Sequence, residues 1–220
     1  MTRVRIAVAV GLWVAAAGYA QQKAIEPDLG KVATGEGWKV FNRTATTAEE
    51  AGRKVARLDE KPGDGIAWLE GAEFGNGVIE VELKGRNVMQ RSFLGVAFRV
   101  VDEKTYDAIY FRPFNFKNPD VARRNHAVQY ISHPTYTWQK LRTERPETYE
   151  KPVNPAPDPD GYFRVRVEVA RPKVRVFVDD AKEPCLTVDE LSERTGGRVG
   201  LWVGNGSDGT FAKLRITPAK

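Results

Sequence analysis

An all-β fold, built as an antiparallel sandwich or barrel, is what this 220-residue sequence predicts. Three observations carry the prediction. Short stretches in which apolar and polar residues alternate recur along most of the chain. Turn signals rich in Gly, Pro and Asp separate them at fairly even spacing. Helix-period patterns are scarce and short, too short to be architectural.

The first twenty residues are a different material: Arg3 and Arg5, then IAVAVGLWVAAAG, then the small residues Gly18 and Ala20. That is the plan of a secretory signal peptide, with cleavage expected near Gln21. The apolar run is too short for a comfortable membrane span and no later stretch approaches the needed length, so a soluble mature chain without a membrane span is expected. Residues 21–35 show no sustained period and read as an extended lead-in, leaving 36–220 as a single domain.

Within that domain the strand patterns fall at 37–43, 53–59, 65–70, 77–85, 92–101, 105–112 and 126–132, then at 162–170, 173–179, 184–188, 198–204 and 210–217. TTAEEAGRK at 46–54 and VDELSER at 188–194 each suggest a helical turn or two. Residues 133–161, with five of the thirteen prolines at 146 and within 152–161, read as one long excursion, the kind of loop that forms lids and rims.

Composition narrows the function. Removing the leader takes two Arg from 34 basic residues, leaving 32 against 29 acids and a mature net charge of +3. The basic residues are scattered, without the basic stripe that nucleic-acid binding requires. Cys185 is the sole cysteine, so an exported protein of this size stands on its core alone, which fits a bacterial periplasm or exterior. No metal-ligand spacing stands out, and no cofactor is expected. PGDG at 62–65 and GNGSDGT at 204–210 carry acids that could hold a structural calcium, but both are ordinary turn chemistry.

Several strand faces do not read as plain surface. With Leu94, Val96 and Phe98 inward, the opposite face is Gly95, Ala97 and Arg99; with Ile109 and Phe111 inward, it is Ala108, Tyr110 and Arg112; with Leu201 inward, it is Gly200, Trp202 and Gly204. Small residues leave room, rings offer apolar plates, and guanidiniums direct hydrogen bonds, which together suit a sugar. In GVIEVELKG at 77–85, Glu80 and Glu82 share one face at a spacing that paired-carboxylate sugar chemistry also uses. The expectation is that Glu80, Glu82, Arg99, Tyr110, Arg112 and Trp202 occupy one sheet surface, with Asn115, Tyr130, His133, Trp138 and Asn205 around its rim. The face of 162–179 bearing Arg164, Arg166, Glu168 and Arg175 lacks aromatics and reads as solvated surface.

GRVGLWVGNGSDGTFAKLRI, preceded by FRVRVEVARPKVRVFVDD, resembles the closing strands of the concanavalin A-like lectin and glucanase superfamily. The similarity is to LamG-like exported bacterial domains grouped with the 3-keto-disaccharide hydrolase (DUF1080) family, over residues 36–218. The resemblance implies a two-sheet antiparallel jelly roll whose concave face holds saccharide. Laminarinase-like members carry E-x-D-x-x-E; Glu80 and Glu82 match its first two acids, but Gly85 stands at the last, so that catalytic pair is incomplete. Three functions follow: a carbohydrate-binding domain; a keto-sugar-type glycosidase with Glu80 or Glu82 as acid or base and Arg99 or Arg112 beside it; or a LamG-like protein-interaction module.

Overall fold

The computed structural model describes residues 23–219; the expected leader and its cleavage point lie outside them. Two seven-stranded antiparallel sheets pack face to face. The first sheet runs in the order β1 (Trp38–Phe41), β4 (Gly65–Leu69), β13 (Arg198–Val203), β6 (Leu94–Asp102), β7 (Thr105–Phe111), β8 (Val128–His133), β9 (Glu150–Lys151). The second runs β12 (Leu186–Asp189), β11 (Lys173–Val178), β10 (Phe163–Ala170), β5 (Gly77–Lys84), β14 (Ser207–Pro218), β3 (Arg53–Lys61), β2 (Ala45–Glu50). The all-β expectation and the two-sheet jelly-roll plan hold.

The alternation read from sequence sets which side of each strand is buried. Val96, Phe98, Ile109, Leu201 and Val203 of the first sheet, and Ile79 and Val81 of the second, are all buried. Phe111 and Phe163 meet across the gap with ring centroids 5.2 Å apart, which fixes the odd-numbered side of β7 as core and turns Tyr110 away from it. Each such side chain contributes roughly 1.5–3 kcal/mol on burial, so the register of these strands is strongly specified.

Both expected helices are strands or extended chain instead. Residues 46–54 form the β2–β3 hairpin, in which Glu50 pairs with Arg53 around Ala51 and Gly52. Both central residues have positive φ, the geometry that matches strand twist in a two-residue turn. Residues 188–194 leave β12 without a helix because Glu190 is drawn into ion pairs with Arg99 at 2.9 Å and Arg171 at 3.0 Å. Tertiary contacts override local propensity in both places.

The lead-in is docked rather than merely extended. Ile25 exchanges two backbone hydrogen bonds with Ile216, and Asp28 caps a 3-10 turn at Leu29–Lys31 that buries Leu29 and Val32. Nor is 133–161 a single excursion. It contains the helix Trp138–Glu144, capped by Thr137, and the edge strand β9, which completes the first sheet.

Candidate functional site

The outer side of the first sheet carries the site. Directly paired residues form a row across six strands: Ile66, Trp202, Gly95, Tyr110, Gln129 and Glu150. The adjacent row is Trp68, Gly200, Ala97, Ala108 and Ile131. Glycine and alanine therefore occupy the middle of the face, with rings beside them; Trp202 and Tyr110 lie 4.9 Å apart. A Cβ added at Gly95 would stand 2.0 Å from the Ile109 carbonyl oxygen, so the close approach of these strands requires glycine there.

Above the side chains of Trp202, Tyr110 and Ile131 on this face is a cavity of about 420 Å³. Its walls come from outside the sheet. Gln90 and Phe93 precede β6. α1 (Pro113–Phe116) brings Phe114 and Asn115, α2 (Val121–Arg124) brings Arg123, and α3 (Trp138–Glu144) brings Trp138 and Arg142. The turns at Asp64 and at Gly204 and Asn205 close the remaining side, tied together where Gly63 N–H donates to Asn205 Oδ1 at 2.7 Å.

One end of the cavity is cationic. Arg112, 5% exposed, donates to the His126 carbonyl at 2.7 Å and to Tyr110 Oη and Gln129 Oε1 at 2.5 Å each. Glu150, 2% exposed, accepts a two-pronged pair from Arg142 at 2.9 and 2.6 Å and lies 3.7 Å from Arg112. Its burial opposes ionisation, but the Arg142 hydrogen bonds and the charges of Arg142, Arg112 and His126 outweigh this and hold the carboxyl below its usual range. His126 Nδ1 is 2.9 Å from Glu150 Oε1 without the alignment of a hydrogen bond, and burial keeps that imidazole's pKa low. Burial also pushes the Tyr110 phenol up to about 12, so it remains a neutral donor to Gln129.

The other end pairs an acid with an imidazole. Trp202 Nε1 donates to Tyr106 Oη at 3.0 Å, Tyr106 donates to Asp64 Oδ2 at 3.3 Å, and His133 stacks on Tyr106 at 5.0 Å. Burial pushes the Asp64 carboxyl up despite the nearby His133, and burial pushes His133 down.

Of the residues expected from sequence, Tyr110, Arg112, Asn115, His133, Trp138, Trp202 and Asn205 line this cavity. The other four lie elsewhere. Tyr130 points into the core and donates to Asp107 at 3.0 Å. Arg99 sits at a β-bulge with φ of 50°, which swings its guanidinium to the end of the sandwich; there it binds Glu190, Asn76 and the Gly75 carbonyl. Glu80 and Glu82 are on β5 in the second sheet, so the expected single surface is wrong. They face outward with the neighbouring Arg164 and Arg166, the face read as solvated, and Glu82 is bound by Arg53 at 2.7 Å and Lys213 at 2.8 Å. Burial raises the Glu82 pKa, but those two cations outweigh it and keep the carboxyl ionised.

Sequence reasoning missed Asp64, Phe93, His126, Gln129, Arg142 and Glu150. Gln129 alternates with Val128 and Tyr130, so the period-2 test applied to β8 finds it. Glu150 and Arg142 meet only through tertiary structure. Among the described residues, no three His, Cys, Asp or Glu side chains cluster as metal ligands.

No protein-family model matches the chain, and no curated protein matches it. Solved structures do. A Bacillus subtilis protein of unknown function with a galectin-like fold superposes with a TM-score of 0.60 at 10% identity, covering 91% of this chain and 98% of that one. The fold is a galectin-like, concanavalin A-like sandwich. The carbohydrate-binding module CBM66 from Bacillus subtilis superposes with a TM-score of 0.56 at 15% identity, over 82% of this chain and 95% of that one. The exoplasmic/lumenal domain of VIP36, in its form with calcium and Man3GlcNAc bound, gives a TM-score of 0.56 at 15% identity, over 89% and 90% of the chains.

Proposed function

We propose that this protein is an exported carbohydrate-binding domain that holds a saccharide in the cavity on the outer face of the first sheet. The observation that carries the reading is the arrangement of that cavity. Trp202, Tyr110 and Ile131 form its floor, Trp138 stands 42% exposed at the mouth, and Asp64, Asn115, Asn205, Arg112 and Arg142 converge from the sides. Rings stack on the C–H face of a sugar while these polar groups take its hydroxyls. The volume, about 420 Å³, falls within the roughly 300–1,000 Å³ of small-ligand pockets. The likeness of fold to a carbohydrate-binding module and to a domain solved with Man3GlcNAc bound adds support.

Catalysis through Glu80 and Glu82 has no place in this reading, since both carboxylates are across the sandwich and Glu82 is held by Arg53 and Lys213. Export rests on the leader of residues 1–20, and makes the protein periplasmic or secreted. The test is a glycan array probed with the purified chain, followed by calorimetry on the strongest glycan. Saturable binding is expected to weaken at least tenfold on Trp138→Ala; an array with no binder ends the proposal. Intact mass of protein from its native host should give an N-terminus near Gln21, and retained Met1 would refute export.

A further inference from the structure

Resting on the saccharide reading, we infer that the sugar is an acidic one, whose carboxylate docks at the arginine end of the cavity. Three guanidiniums, those of Arg112, Arg123 and Arg142, line the cavity, against one lining carboxylate, Asp64, at its far end. Behind Arg112 and Arg142 only Glu150 answers them, and its single charge is divided between Arg142 at 2.6 Å and Arg112 at 3.7 Å. One positive charge is left over at a partly dry wall. Arg123 adds a second guanidinium that is half exposed and only loosely engaged, 3.7 Å from Asp120.

Arg142 shows where a ligand anion would bind. Its Nε and Nη2 are spent on Glu150, while its Nη1 has no hydrogen-bond partner among the described residues. A neutral sugar would cover this excess charge without compensating it, which costs desolvation. A monoanion neutralises it. Nη1, with the second N–H of Nη2 beside it, leaves one edge of the Arg142 guanidinium to which the two oxygens of a uronic acid carboxylate can bind.

The experiment titrates the full mature chain with matched methyl glycosides: glucuronide against glucoside, galacturonide against galactoside, mannuronide against mannoside, with 6-sulfated galactoside as a further arm. At least one uronide should bind tenfold or more tightly than its neutral partner, with the advantage shrinking as salt rises. Arg142→Gln should abolish that advantage. Arg123→Gln, at a half-exposed position that leaves folding intact, should reduce it even if Arg142→Gln unfolds the protein. Neutral partners that bind as well as the uronides, or a sulfated sugar that binds better, overturn the inference and leave the saccharide reading standing. Failure of every glycan, on this panel and on an array, defeats the saccharide reading and this inference with it.

Discussion

Replacing Glu150 by Gln removes one buried charge and almost no volume. Two guanidiniums lose their counter-ion at once. Arg112 is 5% exposed and cannot recover the loss by hydration, whereas Arg142, with about a third of its side chain exposed, recovers part of it. Breaking a buried pair from one side costs about 3–5 kcal/mol, and the exposure of Arg142 places this case near the low end, at about 3 kcal/mol. In a domain of this size that is roughly a 6–12 °C fall in Tm. The pH dependence carries the sign. Because the folded-state pKa of Glu150 is depressed, its contribution is fully present above the unfolded carboxylate value of about 4.3 and is lost as pH falls through the lower folded value. Urea unfolding of both proteins should therefore show the full gap at pH 7 and a closing gap below about pH 4. A difference under 1 kcal/mol at pH 7, or one that does not narrow in acid, refutes the assignment of Glu150 as the anchor of the arginine end.

Three other substitutions probe the rest of the structure. Glu82→Gln should cost less than about 1 kcal/mol, since Lys213 and Arg53 are both partly exposed, and should leave glycan affinity unchanged; a tenfold loss measured by calorimetry would return the second sheet to consideration. Gly95→Ala drives a Cβ into the Ile109 backbone and should cost about 3 kcal/mol or more by urea unfolding, with glycan binding weakened as β6 and β7 separate; a variant as stable as the parent would show that the strands have room to give. Asp64→Asn should gain stability relative to the parent as pH rises from 4 to 7, because burial raises the folded-state pKa of Asp64, so the protonated acid favours folding at low pH and that advantage is lost as pH rises; a relative loss over that range would contradict the burial argument.

What the sequence made legible follows from period. Strands buried on one face announce themselves by alternation, and the faces assigned to β6, β7 and β13 from Gly95, Ala97, Ala108, Tyr110, Gly200 and Trp202 are the faces observed. The sheet to which a strand belongs is not written in its period. Alternation within β5 is the same whether it neighbours β10 and β14 or the aromatic strands, and only the long-range pairing put Glu80 and Glu82 on the far side. Arg99 fails for a different reason: a bulge breaks the parity on which its assignment depended. The hairpin at Ala51 and Gly52 was hidden because Ala and Glu favour helix locally, while edge pairing with β3 decides the outcome. The wall residues Arg142 and Glu150 come from short elements inside a proline-rich stretch, where pattern carries little information.

The most direct measurement is calorimetric titration of one array-selected glycan into three proteins: the parent chain, Trp138→Ala and Glu82→Gln. If the cavity on the first sheet holds the saccharide, Trp138→Ala binds at least tenfold more weakly, about 1.4 kcal/mol, and Glu82→Gln binds like the parent. Loss of binding in Glu82→Gln with Trp138→Ala unaffected would contradict the account and move the site to the opposite sheet.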